Sequence, residues 1–362
     1  MSSMWGKNVK ISIFGGSHTE AIGVTIDGLP AGERIDFEEI KAQMARRAPG
    51  SDSTATKRKE DDLPKILSGV NSEGVLTGAP ISAIILNSNQ KSKDYDELRV
   101  KPRPGHADFT AQVKYSGNND IRGGGHFSGR LTAPLVFAGA VCRQILERKG
   151  IYIGSHVYSI GKIADEPFDL VNIKKEKLCK LSTQYFPVNS ALKRNEMRAE
   201  VERIAAQHDS VGGMVECAII GLPVGLGEPM FDGVENKISS IIFGIPAVKG
   251  IEFGAGFSVA DKLGSENNDE FYYNEDGEVK TYTNNSGGIL GGISNGMPIV
   301  FKVAIKPTPS IAKKQNTINF AEGKNDILEI VGRHDPCIVP RAAPVVEAAA
   351  AVAMLDLIYE RN

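Results

Sequence analysis

Cysteine is scarce in this chain: Cys142, Cys179, Cys217 and Cys337 lie far apart, with no C-x-x-C pair. That spacing argues against a zinc ribbon and gives no disulfide framework, so free buried thiols in a reducing compartment are expected. Histidine is also sparse, at 6 residues. His106-Ala-Asp108, His208-Asp209 and His334-Asp335 carry ligand chemistry, but no helical H-x-x-x-H spacing supports a two-metal phosphoesterase, and no metal is expected. Neither sign of charge is in excess: 42 Lys+Arg against 44 Asp+Glu leave −2. No global field therefore draws nucleic acid or a membrane surface. No uninterrupted apolar run reaches about 18 residues, the usual signal of a membrane span. The opening MSSMWGKNVKISIF has no apolar leader region. The expectation is a cytoplasmic, soluble protein.

Nucleotide fingerprints are missing too. Gly254-Ala-Gly256 lacks the third glycine of a dinucleotide turn and its acidic partner. No G-x-x-x-x-G-K-[ST] occurs, which argues against a P-loop NTPase. Gly292-Ile-Ser294-Asn-Gly296 matches G-x-S-x-G, but Met297-Pro298 leads into a strand-like run. A nucleophile elbow must lead into a helix, so the match is read as chance.

What is present is a proper core, with 41% hydrophobic and 24% charged residues, and abundant glycine, 39 of 362. Ile11–Phe14 and Val24–Ile26 read as strands around the loop GGSHTEAIG. Asp36-Phe-Glu-Glu39 reads as a capping box opening a helix with Phe37, Ile40 and Met44 on one face, which stops at Ala48-Pro49-Gly50. Residues 51–62 form a polar, charged loop. Lys65–Val70, Ile81–Asn87, Ile151–Ile160, Met214–Ile220 and Ile299–Lys306 have strand character, and Met197–Gln207 reads as a polar amphipathic helix. Leu131–Arg148 and Ala342–Tyr359 are apolar on most faces, which places them inside the protein. Residues 264–285 read as a mobile acidic surface excursion. The expected fold is α+β, a single domain over residues 1–362 with buried helices sandwiched between antiparallel sheets.

Short segments combining glycine with cationic or titratable groups carry the chemistry. They are Phe14-Gly-Gly-Ser17-His18, Arg103-Pro-Gly-His106-Ala-Asp108, Arg122-Gly-Gly-Gly-His126-Phe127-Ser128-Gly-Arg130 and Gly332-Arg333-His334-Asp335, with Arg46-Arg47 before a Pro-Gly turn. Glycine lets a ligand approach the backbone, arginine grips carboxylate or phosphate with two parallel bonds, and histidine or aspartate moves protons. Pro336 biases Asp335 towards an extended backbone. In a chain with no net positive charge, these segments point to a small polyanionic substrate.

The ordered set RPGHAD, RGGG, HDSVGG, LPVGLGEP, AVKGIEFGAGF, SGGILGGISNG, KPTPSI and GRHDPC resembles the chorismate synthase family over nearly the whole chain. The resemblance implies a carbon–oxygen lyase acting on phosphates. It would convert 5-enolpyruvylshikimate 3-phosphate to chorismate by 1,4-anti elimination with reduced FMN, the last step of the shikimate pathway. It also implies the helix-filled sandwich, a homotetramer and an external flavin reductase, with NADPH only as an indirect reductant. By position, the resemblance makes His18 the proton donor to phosphate, His106 a partner of the flavin, and Asp335 the group assisting proton removal. Substrate anions would fall to Ser17, Arg47, Arg103, Arg130 and Arg333. FMN would be lined by Arg47, His106, His126, Phe127, Ser128, Pro246, Ala247, Gly291, Lys306, Pro307, Thr308, Pro309, Ser310 and Arg333. The chain departs from the family's usual G-E-S-H-G at Gly16 and Thr19. It departs from R-S-S-A-R-E-T at His126-Phe-Ser-Gly-Arg-Leu131-Thr. These departures keep open an alternative, a family member altered into a flavin-binding subunit or flavin reductase.

Overall fold

The computed structural model describes residues 3–50, 62–87, 97–330 and 335–360. Its helices are α1 (Phe37–Arg47), α2 (Asp108–Lys114), α3 (Thr132–Arg148), α4 (Lys175–Leu181), α5 (Ala191–Ala206), α6 (Val234–Ile242), α7 (Gly264–Asn267) and α8 (Val339–Glu360). The first sheet contains β1 (Met4–Trp5), β2 (Lys10–Gly15), β3 (Ala21–Asp27), β4 (Pro64–Ser68) and β5 (Ile81–Leu86), in the order β1-β2-β3-β5-β4. The second is built from β6 (Tyr152–Ile160), β7 (Ile163–Ala164), β8 (Gly213–Ile220), β9 (Val248–Phe253) and a later strand. Hairpins β10 (Phe271–Tyr273)–β11 (Val279–Thr281) and β12 (Ile289–Leu290)–β13 (Ile293–Ser294) precede that strand, β14 (Ile299–Ile305). Its order is β7-β6-β8-β14-β9. A last hairpin pairs β15 (Gln315–Asn319) with β16 (Lys324–Leu328). Every described ladder is antiparallel.

The expected sandwich is present. Helix α3 lies on the first sheet, α8 on the second, and the two helices pack on each other between them. Close approach depends on Gly139: a Cβ there would sit 2.3 Å from Ala348 Cα. Small residues at both crossing positions let the two helix backbones touch. Among the described helices, α8 is long and apolar enough to cross a membrane by composition, yet 89% of its most apolar window is buried inside the fold. One cluster of buried residues joins Val24, Ile85, Phe137, Val346, Val215 and Phe301, so both sheets and both helices share a core.

Three local expectations are corrected. Asp36 caps α1 by accepting from the N–H groups of Glu38 (2.8 Å) and Glu39 (3.2 Å). The reciprocal arm of a capping box is not made, because the Asp36 N–H donates to Gln144 Oε1 at 2.8 Å. Residues 264–285 carry a short helix and a hairpin tied together by side chains, where the sequence suggested an irregular excursion. The Asp269 carboxylate accepts from Thr283 Oγ1 (2.7 Å), Asn285 N (2.7 Å) and Ser286 N (2.9 Å), and Tyr272 stacks on Tyr282 at 4.4 Å. Helix α5 starts at Ala191, six residues before the expected Met197, because its first turns are exposed and polar and give no apolar period. Ser294 of the G-x-S-x-G match is a buried strand residue donating to Pro223 O at 2.7 Å and accepting from Leu226 N at 2.9 Å.

The second sheet also encloses a buried histidine whose pairing should tie stability to pH. His156 on β6 is fully buried between Asp165 (Nδ1–Oδ2 3.0 Å) and Glu216 (Nε2–Oε2 2.8 Å). Burial alone would lower its pKa, but the two carboxylates outweigh burial and raise it above its ordinary value. A raised folded-state pKa gives stability that is complete below the unfolded value of about 6.5 and lost as pH rises through the folded value. Urea unfolding at a series of pH values should therefore show wild-type stability falling above neutrality, and His156→Gln flattening that fall. Identical slopes in the two proteins would mean that His156 is neutral in the fold.

Candidate active site

Ser17 and His18 occupy the turn between β2 and β3, and the turn is closed by Thr19. Its hydroxyl accepts from Gly16 N (2.9 Å) and lies 2.7 Å from Ala21 O. One departure from the family motif thus supplies the side chain that shapes the turn. Ser17 Oγ donates to Arg122 O at 3.1 Å and so accepts from His18 Nδ1 at 3.1 Å. A hydroxyl has one proton and a carbonyl only accepts, so the tautomer is assigned with the proton on Nδ1 and the lone pair on Nε2.

The triple-glycine segment separates the two histidines. Gly123, Gly124 and Gly125 have φ of 60°, 90° and 53°, the left-handed region that glycine enters without a Cβ clash. A Cβ on Gly123 would lie 2.2 Å from His18 Cε1, and one on Gly124 would lie 3.1 Å from His106 Cε1 and Nε2. The imidazoles flank one glycine floor. His106 is oriented from behind by Asp108, with Nδ1–Oδ1 at 2.6 Å. Arg103 grips the same carboxylate through Nε (2.7 Å) and Nη2 (2.8 Å). Burial would raise the Asp108 pKa, but bonds from Arg103 and His106 hold it far below the carboxylate range. An ionised Asp108 fixes the Nδ1–H tautomer of His106 and leaves Nε2 to act.

On the far side, Arg103 Nη1 donates to Ser310 Oγ (3.3 Å), and Lys306 Nζ donates to Gly105 O. Burial and the neighbouring Lys249 lower the Lys306 pKa. Ala247 O accepts from Lys306 N at 2.9 Å, and Ala247 has φ of 76°, so Pro246-Ala247 abuts the KPTPS segment.

Further round, Asn87 Nδ2 donates to Gly16 O (3.0 Å), and Asn87 Oδ1 accepts from Arg130 Nε (3.0 Å). Arg130 and Arg47 are bridged by Asp62, one carboxylate oxygen to each. Burial lowers the Arg47 pKa to about 10, opposed by Asp62 and reinforced by Arg341 and Arg130, so it stays cationic at neutral pH. Arg341 donates to Arg47 O (3.0 Å) and to Asp335 Oδ2 (2.5 Å). Pro336 O then accepts from Val211 N (2.8 Å), and Ser210 Oγ donates to Thr308 O (2.7 Å). These links run in series: Arg103 joins His106 to Ser310, Ser210-Val211 joins Thr308 to Pro336 beside Asp335, and Arg341, Arg47, Asp62, Arg130 and Asn87 lead on to Gly16 beside Ser17.

Several expected residues sit differently. His126 uses both ring nitrogens as a brace, Nδ1 to Gly15 O (2.9 Å) and Nε2 to Ser3 Oγ (2.8 Å). Ser128 Oγ accepts from Arg130 N (3.2 Å), and Phe127 packs obliquely on Tyr115. Gly291 lies in the β12–β13 turn, before β14, whereas Lys306 follows it, roughly 20 Å of strand away. Arg333 and His334 lie outside the described residues. Sequence reasoning missed Asn87, Asp62 and Arg341. None stands in a glycine-rich segment, and their importance comes only from which side chains they meet.

The fold is a helix-filled antiparallel sandwich whose triple-glycine segment is flanked by two imidazoles. The chain belongs to the chorismate synthase family: the family profile described as chorismate synthase matches residues 9–359. It is 46% identical to the chorismate synthase of Lancefieldella parvula over 99% of this chain and 97% of that protein. It is 45% identical to that of Thermococcus kodakarensis over 99% and 98%. A solved structure titled "Crystal Structure of Chorismate Synthase" superposes with a TM-score of 0.76 at 28% identity, covering 99% of this chain and 93% of that one.

Proposed function

We propose that this protein is a chorismate synthase in activity as well as in family. It would eliminate phosphate from 5-enolpyruvylshikimate 3-phosphate in a 1,4-anti sense, with reduced FMN bound beside the substrate. The observation that supports this reading is the glycine floor flanked by both imidazoles, with Arg103 and Asp108 on His106 and a series of contacts leading on to Asp335, Arg47 and Arg130. A homotetramer and an external flavin reductase belong to the same proposal.

The residues fit a flavin. Thr308 Oγ1 is buried with no hydrogen-bond partner among the described residues, and it stands between Lys306 and Ser310, beside the loop carrying His106. A polar atom buried without a partner is costly unless a ligand or water satisfies it. Lys306, Thr308, Ser310 and His106 would hold the group. When bound, reduced flavin supplies transient electron density to the substrate and recovers it within the cycle. The chain's own work is proton handling and anion binding. His18 delivers a proton at Nε2 to the departing phosphate, which leaves more easily as a weaker anion. His106 holds or moves a proton at Nε2, steadied by ionised Asp108. Asp335, paired with Arg341, is the carboxylate positioned to receive a proton from the substrate side. Charge-assisted bonds from arginine, roughly 1.5–3 kcal/mol each, fix the polyanion.

The test is an anaerobic assay with light-reduced FMN and the phosphorylated substrate. One phosphate should appear per chorismate, with many turnovers per flavin, and oxidised FMN in air should give none. Phosphate release without flavin, or one NADPH consumed per product, would overturn the reading. Flavin binding with no product would favour the altered-subunit alternative.

A further inference from the structure

Asp62 occupies an unusual place. Its side chain is fully buried, with one oxygen on Arg47 Nη1 and the other on Arg130 Nη1. Burial alone would raise its pKa, but the two arginines hold it below the carboxylate range. Both guanidinium groups are themselves about 4% exposed. Their other nitrogens face protein: Arg47 Nε meets Thr132 Oγ1 (3.1 Å) and Nη2 meets Gly129 O (3.3 Å), while Arg130 Nη2 meets Leu86 O (3.4 Å). An anion approaching these arginines therefore finds the seat between them filled by a group of the chain itself.

A carboxylate bridging two guanidinium groups, one oxygen to each, is also how a ligand carboxylate or phosphate would bridge them. Asp62 holds this position with φ of 46°, in the left-handed region that residues with a Cβ occupy under strain. Arg341 donates to Arg47 O and adds to the positive potential at Arg47. A phosphate group can carry more negative charge than the single carboxylate it would replace, so it gains by exchange between the two guanidinium groups.

We propose that Asp62 is a built-in competitor: a carboxylate of the chain that fills the Arg47–Arg130 seat and gives way to an anionic group of the ligand. The inference rests on the reading of these arginines as substrate contacts and deepens it by naming what the substrate displaces. It makes Asp62 a determinant of anion affinity that works against binding. The opposite role, a permanent clamp that orients the arginines for a ligand elsewhere, predicts the opposite sign.

Calorimetric titration with inorganic phosphate, without flavin or turnover, separates the two. Asp62→Asn should bind phosphate at least tenfold more tightly than wild type. Adding Arg130→Gln to that variant should abolish the gain, which locates the ion in this seat. Equal or weaker phosphate binding by Asp62→Asn, or a gain that survives Arg130→Gln, overturns the proposal. Asp62→Ser is the second variant, with room for the ion: its melting temperature should rise steeply with phosphate while wild type barely responds. If neither variant folds even in saturating phosphate, Asp62 is a permanent structural partner and the proposal fails. Failure here leaves the flavin assay unaffected, and failure of that assay leaves the titration interpretable.

Discussion

Turnover of His18→Ala and of His106→Ala should each fall by about 10²–10⁴-fold, the range for a lost acid–base group, with both proteins folded. The two losses have different causes. His18 is read as the donor to the leaving phosphate, so its loss should be smaller for a substrate analogue whose leaving group needs less protonation. His106 is read as a partner of the flavin, so its loss should also weaken flavin binding, measurable by fluorescence quenching. Gly123→Ala is the companion experiment. The added Cβ would lie 2.2 Å from His18 Cε1 in a backbone with φ of 60°, so the imidazole or the loop must move. Turnover should drop towards that of His18→Ala although every titratable group remains. Wild-type turnover in His18→Ala would remove the leaving-group role, and wild-type turnover in Gly123→Ala would show that the floor yields without disturbing the histidine.

Loss of a buried carboxylate should have the largest effect on stability. Glu347 sits in the middle of α8 and is met by Arg46 from α1 through two bonds, Nη1–Oε2 at 2.6 Å and Nη2–Oε1 at 3.0 Å. Arg143 from α3 reaches Oε2 at 3.3 Å, and Ser155 from β6 donates its N–H (3.0 Å) and its hydroxyl (2.8 Å) to Oε1. Burial would raise the Glu347 pKa, but Arg46, Arg143 and Ser155 hold it low. Glu347→Ala strands the buried Arg46 guanidinium, while Arg143 keeps Glu147 at 2.7 Å; breaking such a buried pair typically costs about 3–5 kcal/mol. Urea unfolding should show that loss, and Arg46→Ala combined with Glu347→Ala should cost less than the sum of the two. A loss under about 1 kcal/mol would mean that the arginines find water or other acceptors. Because Arg46 precedes Arg47, the surviving folded fraction should also bind anions more weakly.

The sequence by itself determined which helices are buried and to which family the chain belongs. The all-round apolar character of Leu131–Arg148 and Ala342–Tyr359 placed both inside a sandwich, since such a helix has no polar face to turn to water. Glycine beside arginine and histidine marked the turn at His18, the RGGG floor and the His106 loop, because close backbone approach and anion chemistry each demand particular residue types. Period and composition describe a residue's own needs, however, not its partner across the fold. Nothing local distinguishes Asp62, at the end of a charged stretch, from an ordinary solvated aspartate. Only the meeting of α1 with the start of α3 puts it between two arginines. His126 and Thr19 likewise departed from the family pattern in sequence and became a brace and a turn closure in space. The acidic 264–285 segment read as mobile because its order comes from Asp269 reaching Thr283, Asn285 and Ser286, contacts that exist only after the chain has doubled back. Burial and local chemistry are carried by residue type and are legible in one dimension. Charge pairing and tautomer are carried by distances between segments far apart in sequence, and the tertiary structure alone decided them.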